Sequence, residues 1–286
     1  MAKDQSLSLR VQWLGDRLRQ HRERLGLRLE DAAGYLQMHY TTLGRFERGE
    51  HRPKPSYVRD LVDHYGISDP TERRFLLQLN DDAWRKDFYD GDTSGLDMEF
   101  LDYTWLEERA ARILAYAPLL VIGLLQTPQY AQTLASAACE ISDAPEDFAR
   151  TAETRASRQR ILTGQHPTTL EVLYEEAALL RPIGDHETHK GQLEHLHTTT
   201  SRSNIDIRIL RRDKGWHPGL DGPFMYLDMP DPYPDVVYIE HLGGRLFVEE
   251  HATVDKYRQA YNYMHQYARD SKESGKFIKS ALKDLE

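Results

Sequence analysis

The feature that most constrains this chain is a change of hydrophobic period along its length. At the start, apolar side chains recur at helical spacing in short segments, each closed by a residue that cannot continue it. Val11, Leu14 and Leu18, with Leu25 a heptad further on, mark a helix over 9–24 that Gly26 ends. Leu29, Ala32, Ala33 and Leu36 mark a second over 29–36, where two small alanines let another helix come close. After a break at Gln37–His39 a third helix fits 40–47 and closes at Gly49; Pro55 opens a fourth that turns Val58, Leu61, Val62 and Tyr65 inward. Helices this short bury their stripes only against one another. The result is a compact helical domain whose second and third helices make a helix-turn-helix.

Further along the pattern alternates. A helix over 146–163 is followed by strand-like LEVLYEE (170–176), a helix over 186–199, and strand-like IDIRIL (205–210). FMYLDM (224–229), VVYIEHL (236–242) and RLFVEE (245–250) come next, the last two joined by the hairpin signal Gly243–Gly244. Helices over 252–270 and 274–284 close the chain. Between the regions lie a helix over 71–86, a turn-rich acidic loop at 88–95 that serves as hinge, and a helix over 98–116. An apolar run then starts at Pro118, and Thr127–Pro128 opens a helix carrying Tyr130, Ala131 and Leu134. The expected fold is an N-terminal all-α helix-turn-helix domain (1–68), a helical linker and hinge (69–96), and an α/β or α+β domain with about five strands (97–286).

Composition sets limits on function. Of 286 residues 40% are hydrophobic and 29% charged, which supplies a core but nothing for lipid. The longest apolar stretch, Leu119 to Leu125, is far short of the ~18 residues of a spanning helix. The opening residues lack the apolar stretch of a signal peptide, so a cytoplasmic protein without a membrane partner is expected. Cys139 is the sole cysteine; no internal disulfide and no thiolate zinc site can form. The formal charge of −9 argues against nucleic acid until its distribution is considered. Residues 1–66 carry 12 Lys+Arg against 9 Asp+Glu, and the remainder 25 against 37. A basic head sits on an acidic body, and only the head is suited to DNA.

The head, LGDRLRQHRERLGLRLEDAAGYLQMHYTTLGRFERGEHRPKP, resembles the Cro/repressor-type helix-turn-helix of the XRE family. The matching pattern is Arg22 and Gly26, the Ala33–Leu36 pair, Leu43, then Arg45-Phe46-Glu47-x-Gly49, and Pro53. The resemblance implies that the third helix enters the major groove of double-stranded DNA. By position Tyr40, Thr41, Gly44 and Arg45 are then the base-facing set, Arg45 being suited to a bidentate pair with guanine or to a phosphate. Arg28, Arg48, Arg52 and Lys54 are candidates for holding phosphates. Glu47, an acid beside a polyanion, is implied to pair inside the domain with Arg22. Two departures touch helix starts: Arg28 and His39 stand where the family usually has an N-capping Ser or Thr, a loss of ~1 kcal/mol each. Gly44 within the recognition helix adds about another 1 kcal/mol.

The body resembles the C-terminal domain of actinobacterial regulators of the WhiJ type over nearly all of 97–284. YAPLLVIGLLQTPQYA, Arg155-x-x-Arg158-Gln159, EEAALLRPIG, GWHPGLDGPF and VVYIE occur in the family's order, with Ile122 replacing a common proline and Leu180 inserted in a turn. This implies an antitoxin-like transcriptional regulator, often encoded beside a small partner protein, and no known ligand.

Other constellations point less sharply. His186, His189 and His197 share a helix face with Leu193, but HETH lacks the HExxH spacing of a zinc helix, so a core with polar edges is expected rather than a metal. No phosphate loop, nucleophile elbow or kinase set occurs, and neither a cofactor nor catalysis is expected. Glu175, Glu176, Trp216, His217, Phe224 and Glu240 form a candidate effector or partner cleft, the alternative being a tight strand connection with surface carboxylates. Tyr257 and Tyr261, with Val254, Met264 and Ala268, form a stripe read as core or partner surface. The expected function is sequence-specific transcription regulation, as a homodimer, with a body that receives a small protein or effector. The alternatives are an interaction protein that does not bind DNA and a hydrolase of unfamiliar type.

Overall fold

A computed structural model describes residues 8–84, 98–139, 158–242 and 244–285. The hinge expected at 88–95 and most of the helix expected over 146–163 lie outside the described residues. The chain divides into two compact units, residues 1–105 with 231–233, and residues 106–230 with 234–286.

The first unit is helical. α1 (Leu9–Arg24), α2 (Leu29–Tyr35), α3 (Tyr40–Glu47), α4 (Pro55–His64) and α5 (Pro70–Trp84) follow the apolar spacing of the sequence to within a residue or two. Leu14, Leu18, Leu43, Leu61, Leu76 and Leu79 are fully buried and form its core. Gly15 is required where α1 crosses the end of α3, since a Cβ there would stand 2.4 Å from the Phe46 carbonyl oxygen. The break between α2 and α3 turns on Gln37, whose φ of 53° is left-handed and ordinarily favours glycine.

This unit also contains the start of α6 (Met98–Arg109) and residues 231–233, so it extends past the expected hinge. Asp102 accepts from the Leu9 N–H at 2.6 Å and the Ser8 hydroxyl at 3.1 Å, capping α1 from far along the chain. Trp105 packs edge-on against Trp13 and Tyr233, and the Tyr233 hydroxyl donates to Asp82.

The second unit is built on one mixed sheet of six strands: β1 (Arg112–Ala117), β2 (Thr169–Glu175), β3 (Ile205–Leu210), β4 (Phe224–Asp228), β5 (Val236–His241) and β6 (Gly244–Val248). The order is β3-β2-β1-β4-β5-β6, parallel across β1 to β3 and antiparallel beyond. The fold is therefore α+β, with one strand more than expected. The extra strand is β1, assigned from the sequence to a helix over 98–116. The helix ends at Arg109; RILAYA then becomes a strand buried along almost its whole length. A strand covered on both faces has no polar alternation, and leucine and alanine favour helix, so local sequence misleads here.

Helices α7 (Pro128–Cys139), α8 (Glu176–Leu180), α9 (His186–Thr199), α10 (His251–Tyr267) and α11 (Ser271–Lys283) complete this unit. Val254, Tyr261 and Met264 of α10, flanked by Tyr257 and Ala268, pack on Leu114, Tyr116, Leu173, Phe224, Tyr226 and Val237, so the stripe is core. The outer edge of β3 is covered: Ala268 bridges Leu210, and the Ile209 N–H donates to Ser274 Oγ. Such cover removes an open edge that would otherwise template pairing.

Candidate functional site

Helix α3 owes its orientation to its buried side. Leu43, Phe46 and Glu47 face inward, leaving Tyr40, Thr41, Arg45 and Arg48 exposed. The acid is neutralised within the unit. Arg22 Nε and Nη2 donate to the two Glu47 oxygens at 2.6 and 2.8 Å, and Arg22 Nη1 donates to the Leu27 carbonyl at 2.8 Å. The Glu47 carboxylate holds the Arg22 guanidinium above its ordinary pKa against the effect of burial. Nearby, burial and then Glu47 push the Tyr65 hydroxyl up as well.

Of the base-facing set, Tyr40, Thr41 and Arg45 are exposed, and the Arg45 side chain has no hydrogen bond or ion pair among the described residues. Gly44 is different. It is buried, and a Cβ there would lie 3.3 Å from Leu29 and 3.1 Å from the Arg48 guanidinium. Its place in α3 is a close approach to α2 rather than a contact for a base. The loss expected from glycine in a helix is thus offset by packing.

The four phosphate candidates also separate. Arg28 is held in a fork by Asp31, at 3.0 and 3.1 Å, and Arg48 by Glu50, at 2.5 and 3.1 Å. Arg52 reaches back to the Ala83 carbonyl at 2.9 Å and helps tie α5 to the unit. Lys54 is exposed with no such partner among the described residues. Sequence alone cannot distinguish a cation reserved for phosphate from one engaged by a neighbour.

The missing caps are partly replaced. His39 Nδ1 accepts from the Thr41 N–H, so an imidazole takes the role of the usual hydroxyl. Arg28 has no acceptor atom; instead Asp31 accepts the Arg28 N–H at 3.3 Å, half of a capping box.

In the second unit part of the expected cleft assembles where β1 and β2 end. Tyr116 donates to Glu175 at 3.0 Å, and His217 Nε2 lies 3.3 Å from the same carboxylate oxygen. Phe224 and His217 each lie 6.0 Å, ring to ring, from Tyr116. Burial, with Glu175 beside it, pushes the Tyr116 hydroxyl up. His217 is only 5% exposed and its Nδ1 has no hydrogen-bond partner among the described residues, whereas its neighbour Trp216 is 71% exposed. Tyr116 was not singled out by sequence; its register opposite Phe224 is what brings it here.

Glu176 turns to Arg269, with 2.8 Å between them, and Glu240 does not join the cluster. Phe224 pairs by register extension with Ile239, so Glu240, one residue on, points to the other face and lies near Arg245 at 3.6 Å. Of the expected trio His186, His189 and His197 on α9, His189 is buried, and desolvation holds its pKa below the ordinary value. His186 Nε2 lies 2.7 Å from the Leu285 carbonyl. Among the described residues no group of three His, Cys, Asp or Glu side chains is placed to hold a metal, and no helix is long and apolar enough to cross a membrane.

No curated protein matches the chain. Residues 13–76 match the model of a helix-turn-helix domain, which runs from within α1 to about the middle of α5. Residues 100–280 match the domain of unknown function DUF5753, which takes in most of α6, all six strands and α10. With that match over more than half its length, the chain belongs to the DUF5753 family, behind an N-terminal helix-turn-helix domain.

Proposed function

We propose that the protein is a sequence-specific DNA-binding transcriptional regulator that binds as a homodimer and acts by binding rather than by catalysis. The observation that carries this reading is the outer face of α3. Arg45 is exposed with no hydrogen bond or ion pair among the described residues, while the one acid of that helix is buried against Arg22. A guanidinium so presented can pair with the O6 and N7 of guanine. Two copies would engage half-sites about 34 Å apart, one helical turn of DNA. The C-terminal unit then receives a small protein partner or effector, as its resemblance to antitoxin-like actinobacterial regulators of the WhiJ type supports.

The test is affinity for a selected operator and for random DNA. Arg45→Ala is expected to cost about 1–3 kcal/mol on the operator and to relax preference at one base position. Lys54→Ala should weaken both DNAs alike and reduce the salt slope by about one ion. Lys54 suits this purpose better than Arg52, whose loss would also remove the bond to Ala83. Equal losses on both DNAs for Arg45→Ala would place it among the phosphate contacts. A 1:1 footprint on one isolated half-site would refute the dimer.

A further inference from the structure

Topology decides where a binding surface lies in the second unit. β1, β2 and β3 are parallel, so their carboxyl ends share one end of the sheet, and β4 enters from that end beside β1. The connections leaving the three strands gather there: residues 118–127 after β1, α8 after β2, and residues 211–223 after β3. In open α/β sheets, ligands are met outside the carboxyl ends of the parallel strands where the strand order reverses, which here is beside β1.

These connections carry exposed apolar side chains. Leu119 and Leu120 follow β1, Leu180 ends α8, and Trp216 and Leu220 follow β3. One exposed leucine needs no explanation, but five large apolar side chains from three connections at one sheet end do. Their base is already filled. His217 is buried against Glu175 directly after Trp216, and a Cβ at Gly219 would stand 2.5 Å from the Met264 sulfur. The loop is seated on the core with no room beneath it at that point, so Trp216 and Leu220 are held outward.

Charge and dimensions describe the occupant. Arg181 and Arg212, on the connections after β2 and β3, are exposed and make no ion pair among the described residues, whereas Arg211 is taken by Asp213. Asp221, beside Leu220, is exposed on the same connection as Arg212, so two guanidinium groups stand against one carboxylate; in a chain with a formal charge of −9 that local positive balance favours carboxylates from outside. The ends of the three neighbouring strands from which these connections leave span about 10 Å. That matches about two turns of a helix offering anchors at i, i+3, i+4 and i+7.

We propose that the carboxyl end of β1 to β3 docks an acidic amphipathic helix of a protein partner. Its apolar face would cover Trp216, Leu220 and the leucines, and its carboxylates would meet Arg181 and Arg212. This rests on reading the C-terminal unit as the partner-receiving part, and it stands apart from DNA recognition because docking is measured without DNA.

The test selects binders to the full-length protein from a displayed library of random peptides of about 20 residues, enough for five turns of helix. Enriched peptides are then measured by fluorescence anisotropy. They should share leucine or aromatic residues at helical spacing with flanking Asp or Glu. Trp216→Ala and the pair Arg181→Glu, Arg212→Glu should each weaken binding at least about tenfold with an unchanged thermal midpoint. A peptide whose acids are replaced by lysine should recover affinity for the charge-reversed protein, which a merely structural role for the arginines would not produce. An empty selection overturns the proposal, as do peptides indifferent to both variants. So does self-association of the parent that Trp216→Ala abolishes, since the surface then belongs to a second copy. Failure to bind operator DNA would sink the regulator reading and leave each of these results as it stands.

Discussion

Among the described residues each unit contains a buried, two-pronged Arg–Glu pair, and the two are built by different means. In the first, Arg22 and Glu47 meet at 2.6 and 2.8 Å; in the second, Arg158 and Glu107 meet through two contacts of 2.6 Å. All four side chains are buried. The first pair spans 25 residues inside a motif whose turns are short and whose helices are fixed by neighbours. The second spans 51 residues and joins the end of α6 to a point that only the closing of the sheet brings near. The candidate sites repeat the contrast. Tyr40, Thr41 and Arg45 come from one eight-residue helix, whereas the sheet end draws on connections about a hundred residues apart. A locally built surface can be read from a motif, but one built by long-range closure waits for the topology.

The largest effect should come from breaking either pair. Glu47→Ala and Glu107→Ala each leave a guanidinium buried without its carboxylate, a loss of about 3–5 kcal/mol. In calorimetry we expect two transitions, with each substitution lowering its own and sparing the other. One transition that both substitutions shift alike would show that the units unfold together and would dissolve the comparison.

A smaller effect concerns how far the first unit depends on α6. Burial pushes the Asp102 carboxyl up to about 6 despite its bonds to Leu9, Ser8 and Arg10, so the folded state holds the proton more tightly than the unfolded one. The associated stability is full below the unfolded value near 4 and is lost as pH rises through about 6; each tenfold difference in proton affinity between the two states is worth about 1.4 kcal/mol. Relative to the parent, Asp102→Asn should therefore gain stability between pH 4 and 7, by roughly 2–3 kcal/mol. A difference in denaturant midpoints that stays flat across that range would refute the assignment.

The smallest effect tests the turn between α2 and α3. Gln37→Gly relieves a left-handed residue and should stabilise the first unit by about 0.5–1 kcal/mol, with the second transition unmoved. A lower first transition would mean that the glutamine side chain contributes more than its backbone strain removes.

By itself the sequence determined the helix-turn-helix, because glycine, proline and apolar spacing act within a turn or two of the residues they control. Gly26, Gly49 and Pro55 end or open helices where they stand, and the resemblance around Arg22 and Glu47 foretold a pair that the geometry contains. It also marked five strands whose alternation or hairpin signal is local. The tertiary structure alone decided the rest. RILAYA is a strand because neighbours cover both its faces, and Glu240 leaves the cluster because sheet register fixes side-chain parity. Gly44 is buried because Leu29 approaches it, and Arg52 is engaged because the end of α5 returns to it. The physical reason is common to all four. Propensity and patterning act over a few residues, whereas burial and pairing depend on segments 15 to more than a hundred residues away, which a single chain read in order does not bring together.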